Sequence, residues 1–300
     1  MPLERFHGVF TVLQMPFRPD FSIDYGTLAR EVDWNFENGV TGVVLALASE
    51  VFRLTDAERD AVVKQVVEAT AGRGPVIMSV GAESTVQASR HAGAAEAAGV
   101  DAVMAIPPAM TAAPTDETVA YYEAILDAIS LPVIVQDASS YVGNAIPVGE
   151  QAGFFNRNPD RVMFKPEANP LGPTISALVE ATGRRARIFE GSGGLLLPES
   201  HLRGVCGTMP GGDLPWVTVA LWNALENGDS VRARAIHLPL ASMVSNAHNI
   251  DVFIAVAKLL LCEQGIFEYA INRPPVGYVM DMTTRERILS LFHELEGICR

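Results

Sequence analysis

A single lysine at the end of a short apolar run is the residue whose type and setting point most directly to chemistry. The stretch Arg161–Glu167 reads R-V-M-F-K-P-E, so Lys165 ends a β-type run and is followed at once by Pro166. Proline cannot continue a central β-ladder, which predicts that the strand ends there. Partial burial lowers the pKa of a lysine and frees its lone pair to attack a carbonyl carbon. Lys165 is therefore a candidate catalytic amine, and the alternative is a structural ion pair with Glu167.

Lysine is scarce in this chain, which makes the positions of the few lysines informative. The 22 basic residues include only three lysines, and the other two are Lys64 and Lys258. Both lie in helical-looking runs, V-V-K-Q-V-V and F-I-A-V-A-K-L-L-L-C. On such a helix a lysine lays its stem along the surface and keeps its charge in water. We therefore expect the amines of Lys64 and Lys258 to reach solvent.

The composition describes one large folded unit without a nucleic-acid or membrane partner. A chain of 300 residues with 49% hydrophobic and 19% charged residues can bury a core of the size found in α/β barrels. Its net charge of −13 argues against nucleic acids and anionic membrane surfaces as partners. No apolar run is long enough for a membrane span, and the first residues do not have the pattern of a signal peptide.

The cysteines and histidines give no sign of a metal or redox centre. Cys206, Cys262 and Cys299 are far apart and form no C-x-x-C pair, which is typical of thiols in a reduced, cytoplasmic protein. The six histidines form neither an H-x-H nor an H-E-x-x-H spacing. We therefore expect neither a metal nor another cofactor.

Short β-rich runs alternate with longer helical stretches, and the alternation predicts the fold. Each run is almost continuously apolar, as expected for parallel strands buried on both faces. Eight strand–helix units fit a TIM (β/α)8 barrel. A doubly wound open sheet is the alternative, but the Gly-rich dinucleotide fingerprint is missing after the first strand. The predicted strands are Val9–Phe17, Gly42–Leu47, Val76–Gly81, Ala102–Ile106, Val133–Asp137, Val162–Lys165, Arg187–Glu190 and Val205–Met209.

After the eighth unit the pattern becomes purely helical. The apolar spacing predicts amphipathic helices over Asp229–His248, Asp251–Gln264 and Thr284–Ile298. No long polar linker separates them from the rest. We therefore predict a barrel over residues 1–228 and a C-terminal helical extension, residues 229–300, packed on it.

The barrel prediction gives the strand ends a functional meaning, because TIM barrels carry their active sites there. Lys165 would point into the mouth, and strand alternation places Glu167 on the same side. An amine and a carboxylate at one mouth can perform Schiff-base chemistry. The glycine runs Gly191–Gly194 and Gly211–Gly212 either offer backbone amides to an anion or a hydroxyl, or are simply tight turns. A metal-dependent lyase using the oxygens of Glu167, Glu190 and Asp213 is a rival interpretation of the same carboxylates.

The chain resembles the dihydrodipicolinate synthase/N-acetylneuraminate lyase superfamily. The resemblance rests on Gly39–Arg59, Pro132–Gly143, the Lys165 strand and Asn272–Pro275, in that order. It implies a Schiff-base TIM barrel with a C-terminal helical extension, assembled as a homo-oligomer, either a dimer or a tetramer. It also implies that Lys165 forms the imine.

Departures from the superfamily pattern indicate which branch of the superfamily the chain resembles. Leu47 and Ala48 stand where pyruvate-specific members have two threonines, Gln136 replaces the proton-relaying tyrosine, and Tyr141 replaces an arginine. In these respects the chain is similar to the 2-keto-3-deoxy sugar acid dehydratases, particularly the L-2-keto-3-deoxyarabonate branch. Those members likewise combine a Gln-Asp pair, here Gln136-Asp137, with Lys-x-Glu on the next strand.

The resemblance implies a role for each of the residues that match. Lys165 would form an imine at C2 of a 2-keto-3-deoxy acid, and Glu167 would take a C3 proton so that the C4 hydroxyl leaves as water. For 2-keto-3-deoxyarabonate the product would be 2,5-dioxopentanoate. The predicted substrate-binding residues are Ala48, Ser49, Gln136, Asp137, Tyr141, Gly191 and Ser192. A pyruvate-forming aldolase and a non-catalytic keto-acid-binding protein are the alternatives on the same scaffold.

Overall fold

Eight short parallel strands form a nearly closed barrel in the computed structural model, which describes residues 3–300. The strands pair in the order β6-β5-β4-β3-β2-β1-β8-β7, and a bridge between Phe164 and Ile188 joins β6 to β7. The predicted TIM barrel followed by C-terminal helices is thereby confirmed. The strands are β1 Gly8–Val12, β2 Gly42–Leu45, β3 Val76–Ser79, β4 Ala102–Ala105, β5 Val133–Asp137, β6 Val162–Pro166, β7 Phe189–Glu190 and β8 Gly207–Thr208.

A helix follows each strand, and local sequence signals set where several of these helices begin. Thr55 and Glu58 form the capping box that starts α2: the Glu58 amide donates to Thr55 Oγ1 and the Thr55 amide to Glu58 Oε2. The side chains of Asp24 and Ser84 cap α1 and α3 by accepting from backbone amides of the first turn. The barrel helices are α1 Tyr25–Glu37, α2 Asp56–Thr70, α3 Thr85–Ala98, α4 Thr115–Ala128, α5 Val148–Arg157, α6 Leu171–Ala181, α7 Leu197–Leu202 and α8 Pro215–Glu226.

Two apolar cores hold the barrel together. One fills its interior with side chains from the strands, including Phe10, Ile134 and Met163. The other, larger core lies between the strands and the helices. Because successive strand residues face opposite cores, Lys165 lies on the interior side with Met163, two residues before it.

The C-terminal extension consists of α9 Ser230–Val244, α10 Ile250–Glu263 and α11 Met282–Cys299. Helix α9 packs against α8 and α11, whereas α10 contacts a 3-10 turn, Leu47–Ser49, that follows β2. The extension therefore reaches the end of the barrel where the strands finish. No helix within residues 3–300 combines the length and the apolar character needed to cross a bilayer.

Among the segments that end earlier than their apolar patterns predict, β1 and α9 differ most from the prediction. Strand β1 ends at Val12 rather than Phe17, because the chain turns away and the Gln14 amide donates to the Glu31 carboxylate on α1. Helix α9 ends at Val244 rather than His248. The residues after it form a loop to α10, and Asn249 caps α10 by accepting from the Val252 amide at 3.0 Å.

The prediction that the amine of Lys258 reaches water is wrong. Its side chain is fully buried in α10 and forms an ion pair with Glu50, whose carboxylate is also buried. A lysine is almost never fully buried unless a charged group pairs with it, and here the buried carboxylate of Glu50 is that partner. Lys64, on α2, is exposed as predicted.

Candidate active site

Lys165 and Glu167 lie in contact at the mouth of the barrel. Lys165 Nζ is 2.7 Å from Glu167 Oε1, and each side chain is only 5% exposed. Strand β6 includes Pro166, which pairs with Asp137 of β5, and the Glu167 amide donates to the Asp137 carbonyl at 2.9 Å. The ladder thus includes the proline, at which the strand ends, and the hydrogen bond after it holds Glu167 on the same face as Lys165.

Burial pushes both groups of this pair toward their neutral forms. Desolvation lowers the pKa of Lys165 to about 8, an effect that the nearby Glu190 carboxylate opposes. Desolvation also raises the pKa of Glu167 well above its usual value. The hydrogen bond from Gln136 works in the opposite direction, while the charges of Glu190 and Asp137 raise this pKa further. The site therefore combines an amine that can be a nucleophile near neutral pH with a carboxyl group suited to accept and return a proton.

Gln136 orients the carboxyl group of Glu167. Its Nε2 donates to Glu167 Oε1 at 2.5 Å, so this oxygen is contacted by both the amide and the Lys165 amine. Glu167 Oε2 makes no hydrogen bond to the part of the chain that the structure describes. The second oxygen is consequently the one left for proton transfer to a bound molecule.

The turn after β7 is fixed by Glu190. The Glu190 carboxylate accepts from the Ser192 amide at 2.6 Å, from Ser192 Oγ, and from Thr208 Oγ1 at 2.6 Å. Ser192 Oγ also accepts from the Leu196 amide at 2.8 Å, so most of its hydrogen-bonding capacity is used within the protein. A Cβ atom on Gly191 would overlap the side chain of Glu167, and glycine therefore leaves room for the Glu167 carboxyl group.

The turn after β2 presents two backbone amides. The Ser49 amide donates to the Ala46 carbonyl at 2.9 Å, and Ser49 Oγ donates to the Leu13 carbonyl at 2.5 Å. Both donors of Ser49 are thus engaged. By contrast, no hydrogen bond within residues 3–300 uses the amides of Leu47 and Ala48. These two amides are the donors that this turn offers to an anion.

The mouth contains a cavity of about 160 Å³ between the strand ends and the C-terminal extension. The strand ends and the loops after them contribute Val12, Ala46, Leu47, Ala48, Gln136, Tyr141, Lys165, Glu167, Gly191, Ser192, Gly193, Met209 and Gly211. The extension contributes Val244, Ala247, His248, Asn249, Ile250 and Phe253. The wall from the strand ends therefore carries the candidate chemistry, and apolar side chains contribute to both walls.

The structure brings most of the predicted site residues together. Lys165, Glu167, Gln136, Ala48, Tyr141, Gly191 and Ser192 all line the cavity. Ser49 and Asp137 do not line it: Ser49 is buried behind the β2 turn, and Asp137 Oδ1 accepts from the Ser139 amide at 3.0 Å. Both lie next to residues that do line the cavity.

The wall from the extension was missed by reasoning from the sequence. The sequence pattern places His248 at the end of one predicted helix and Asn249 in the short gap before the next. Nothing in that pattern indicates contact with a strand end. Asn is a strong helix N-cap, which is a signal that the chain breaks at Asn249. That signal predicts where in the sequence the loop lies, but it does not predict that the loop covers the barrel mouth.

The three carboxylates considered as metal ligands do not share one site. Glu167 faces the cavity, the oxygens of Glu190 are engaged by Ser192 and Thr208, and Asp213 lies outside the cavity. Burial raises the pKa of Asp213 to about 6. Among residues 3–300 there is no group of three or more His, Cys, Asp or Glu arranged to hold a metal ion.

Comparison with known proteins agrees with this fold. The profile of the dihydrodipicolinate synthetase family matches residues 5–290. The L-2-keto-3-deoxyarabonate dehydratase of Azospirillum brasilense is 28% identical, with 98% of this chain and 96% of that protein aligned. The 4-hydroxy-tetrahydrodipicolinate synthase of Thermomicrobium roseum is 31% identical over 94% and 92% of the two chains. The crystal structure of dihydrodipicolinate synthase from Rhodopseudomonas palustris superposes with a TM-score of 0.89 at 26% identity, covering 97% of this chain and 98% of that one.

Proposed function

We propose, starting from the fact that this chain belongs to the dihydrodipicolinate synthetase family, that it is a lyase that dehydrates a 2-keto-3-deoxy sugar acid through an imine on Lys165. The observation that carries the proposal is the buried contact between Lys165 and Glu167, with Gln136 bonded to the same carboxyl group. The similarity to a 2-keto-3-deoxyarabonate dehydratase supports this choice of substrate class.

The first step is imine formation. The neutral amine of Lys165 attacks the C2 carbonyl carbon to give a carbinolamine. Its hydroxyl takes up a proton from the solvent and leaves as water, and the nitrogen lone pair forms the C=N bond of an iminium ion. The lowered pKa of Lys165 favours this step because only the unprotonated amine carries a lone pair. The charge of the iminium is close enough to the Glu190 carboxylate to be stabilised by it, as the effect of Glu190 on Lys165 indicates.

The second step removes water from C3 and C4. Glu167 Oε2 takes a proton from C3, and the C–H electrons form an enamine. The enamine electrons then expel the C4 hydroxyl, which leaves as water with the proton that Glu167 returns. With a five-carbon acid, tautomerisation and hydrolysis of the unsaturated imine release 2,5-dioxopentanoate and the free amine.

The polar groups of the cavity suit a substrate with one negative charge. In this proposal the amides of Leu47 and Ala48, which make no hydrogen bond within residues 3–300, bind the carboxylate at C1. Lys165 is the only lysine or arginine that lines the cavity in the described part of the chain. A second carboxylate or a phosphate on the substrate would find no arginine and no further lysine among these described lining residues. Gln136, Tyr141 and the Gly191–Ser192 turn remain for the substrate hydroxyls.

Replacing Glu167 with glutamine tests the proton-transfer step. Glu167→Gln keeps the size and a hydrogen-bonding oxygen but cannot accept the C3 proton. We expect a borohydride-trapped adduct with 2-keto-3-deoxyarabonate to form as in the wild type, while product formation falls by about 10²–10⁴-fold. Glu180→Gln, an exposed position on α6, is the matched control and should retain full turnover. Full activity of Glu167→Gln would remove Glu167 from the mechanism.

A carbon–carbon lyase or synthase acting on pyruvate is the second candidate. The 31% identity to a 4-hydroxy-tetrahydrodipicolinate synthase favours this class. In this chain Gln136 stands at the position of the proton-relaying tyrosine that the superfamily resemblance leads one to expect. Incubation with 2-keto-3-deoxy acids followed by a pyruvate assay separates the candidates, since dehydration releases no pyruvate and aldol cleavage does.

We also propose that the protein is a cytoplasmic homo-oligomer, either a dimer or a tetramer. Several large apolar side chains are exposed on the single chain, including Met110 at 90%, Val279 at 85% and Met282 at 65%. Apolar surface of this kind is commonly covered by another subunit. The three cysteines are unpaired, which suits a reducing compartment. Light scattering on a 32.2-kDa chain would report the number of subunits.

A further inference from the structure

The second buried lysine, Lys258, lies outside the cavity and ties the extension to the barrel. Its Nζ donates to Glu50 Oε1 and, at 2.7 Å, to the Ile271 carbonyl. The same amine lies 4.7 Å from the centre of the Phe17 ring. Burial lowers the pKa of this amine, and the paired Glu50 carboxylate opposes that effect; the side chain has no exposed surface. Lys258 is therefore a buried cation with a structural partner and not a second nucleophile.

Glu50 receives donors from three separate segments. Besides Lys258 on α10, Arg53 donates to Glu50 Oε2 at 3.1 Å, and the Arg273 amide donates to the same oxygen at 3.3 Å. Arg53 also pairs with Asp251 in the first turn of α10. The carboxylate is thus the point at which α10, the segment before α11 and the β2–α2 loop are held together.

Glu50 also determines the shape of the turn that carries the free amides. It adopts a left-handed conformation, with φ 54°, which is unfavourable for a residue other than glycine. Its amide donates to the Leu47 carbonyl at 3.0 Å and closes the 3-10 turn Leu47–Ser49. A carboxylate fixed by three donors can hold this conformation in place. This conformation of Glu50 in turn sets the direction in which the Leu47 and Ala48 amides point.

We infer that the buried Lys258–Glu50 ion pair is a positioning device that aims the amides of Leu47 and Ala48 at the carboxylate of the substrate. This inference rests on the proposed function, because it assigns those amides to the C1 carboxylate of a keto acid. Lys258 does not touch the substrate and acts through Glu50 and the turn. The extension thereby contributes to carboxylate recognition as well as to the far wall of the cavity.

An ion pair suits this task better than an apolar contact of the same size. Buried ion pairs add little net stability, but their hydrogen-bond geometry specifies one arrangement of the groups that they join. Misplacing a binding group by about 1 Å can cost up to about 10²-fold in reactivity, even when the change is remote from the chemistry. Loss of the pair should therefore affect recognition of the carboxylate more than the reactivity of Lys165.

The test compares a ketone that carries the carboxylate with one that lacks it. In Lys258→Met, the concentration of pyruvate needed for half-maximal borohydride trapping on Lys165 should rise at least about tenfold. The concentration of hydroxyacetone needed for half-maximal trapping should stay within about twofold of the wild-type value, because hydroxyacetone has no carboxylate. Lys64→Met, which removes the exposed lysine on α2, should leave both values unchanged.

A second variant covers the case in which Lys258→Met does not fold, because it leaves Glu50 without its lysine partner. The double change Glu50→Gln with Lys258→Met removes both charges together and should show the same loss for pyruvate alone. Equal losses for pyruvate and hydroxyacetone, or no loss for either, in a folded variant would overturn the positioning role. Wild-type protein that forms no adduct with any keto acid would instead overturn the proposed function, and this inference with it.

Discussion

At the scale of single residues, the surroundings of two buried lysines give them different roles. Lys258 lies outside the cavity; burial lowers its pKa, but its ion pair with Glu50, the Ile271 carbonyl and the Phe17 ring favour the charged amine. Lys165 faces a cavity and a carboxyl group whose own pKa is raised, so its neutral form is accessible. The strand-end position of Lys165 was readable from the sequence. The burial of Lys258 was not, because its partner Glu50 lies 208 residues away.

The pH dependence of imine formation follows from the lowered pKa of Lys165. With a pKa of about 8, roughly a tenth of the amine is neutral at pH 7, whereas a lysine at 10.5 would be neutral in about one molecule in three thousand. The neutral fraction increases as the pH rises through the pKa. We therefore expect the initial rate of cyanoborohydride trapping by pyruvate to rise from pH 6 and to level off above about pH 8–9.

The shape of this pH profile distinguishes a lowered pKa of Lys165 from the pKa of an exposed lysine. Trapping that keeps increasing tenfold per pH unit up to pH 10 would mean that Lys165 has the pKa of an exposed lysine. In that case burial and Glu167 would not prepare the amine for attack.

At the scale of elements, the sequence predicts existence and order better than boundaries. The eight strand–helix units and the later helices are readable because long apolar periodicities and caps such as Thr55 with Glu58 are local signals. The early end of β1 depends on a hydrogen bond between Gln14 and Glu31, a tertiary contact. The loop between α9 and α10 covers the barrel mouth for a similar reason, since packing and not local sequence decides where it lies.

The turn after β7 offers a test of how elements position Glu167. A Cβ atom in Gly191→Ala would overlap the Glu167 side chain and lie 2.9 Å from the Pro166 carbonyl oxygen. The carboxyl group must then shift, and we expect dehydration to fall at least about tenfold while the protein stays folded. Turnover of 2-keto-3-deoxyarabonate and the thermal unfolding temperature are the two measurements.

The matched control for this change is Gly93→Ala. Gly93 lies inside α3, and an added Cβ would meet nothing within 4 Å. Alanine is the better helix former, so this variant should be unchanged in activity and more stable by about 0.5–1 kcal/mol. Equal activity of the two variants would show that the space at Gly191 is not needed by Glu167.

At the scale of the whole molecule, the barrel supplies the reactive wall and the extension supplies the opposing one. The division is visible in the cavity, where residues from Val244 to Phe253 face the strand ends. The molecule carries a net charge of −13, which repels the anionic substrate that the site is proposed to bind. Recognition must therefore rely on short-range donors such as the Leu47 and Ala48 amides and not on long-range attraction.

Salt should change the apparent affinity for a keto acid in the direction set by this repulsion. Raising the ionic strength from about 0.01 to about 0.15 M shortens the screening length from about 30 to about 8 Å. We expect the half-saturating concentration of pyruvate to fall by roughly two- to threefold, since screening weakens the repulsion between like charges. Hydroxyacetone, which is uncharged, should be unaffected. A rise with salt would indicate a positive local field at the mouth.

The central claim is that Lys165 is the imine-forming residue. Borohydride reduction in the presence of pyruvate and of a series of 2-keto-3-deoxy sugar acids, followed by peptide mass mapping, tests it most directly. We predict a reduced adduct on Lys165 and none on Lys64 or Lys258, because Lys64 is exposed on α2 outside the cavity and Lys258 is held in a buried ion pair. A folded protein that forms no adduct with any of these acids, or forms it on another lysine, would contradict the account.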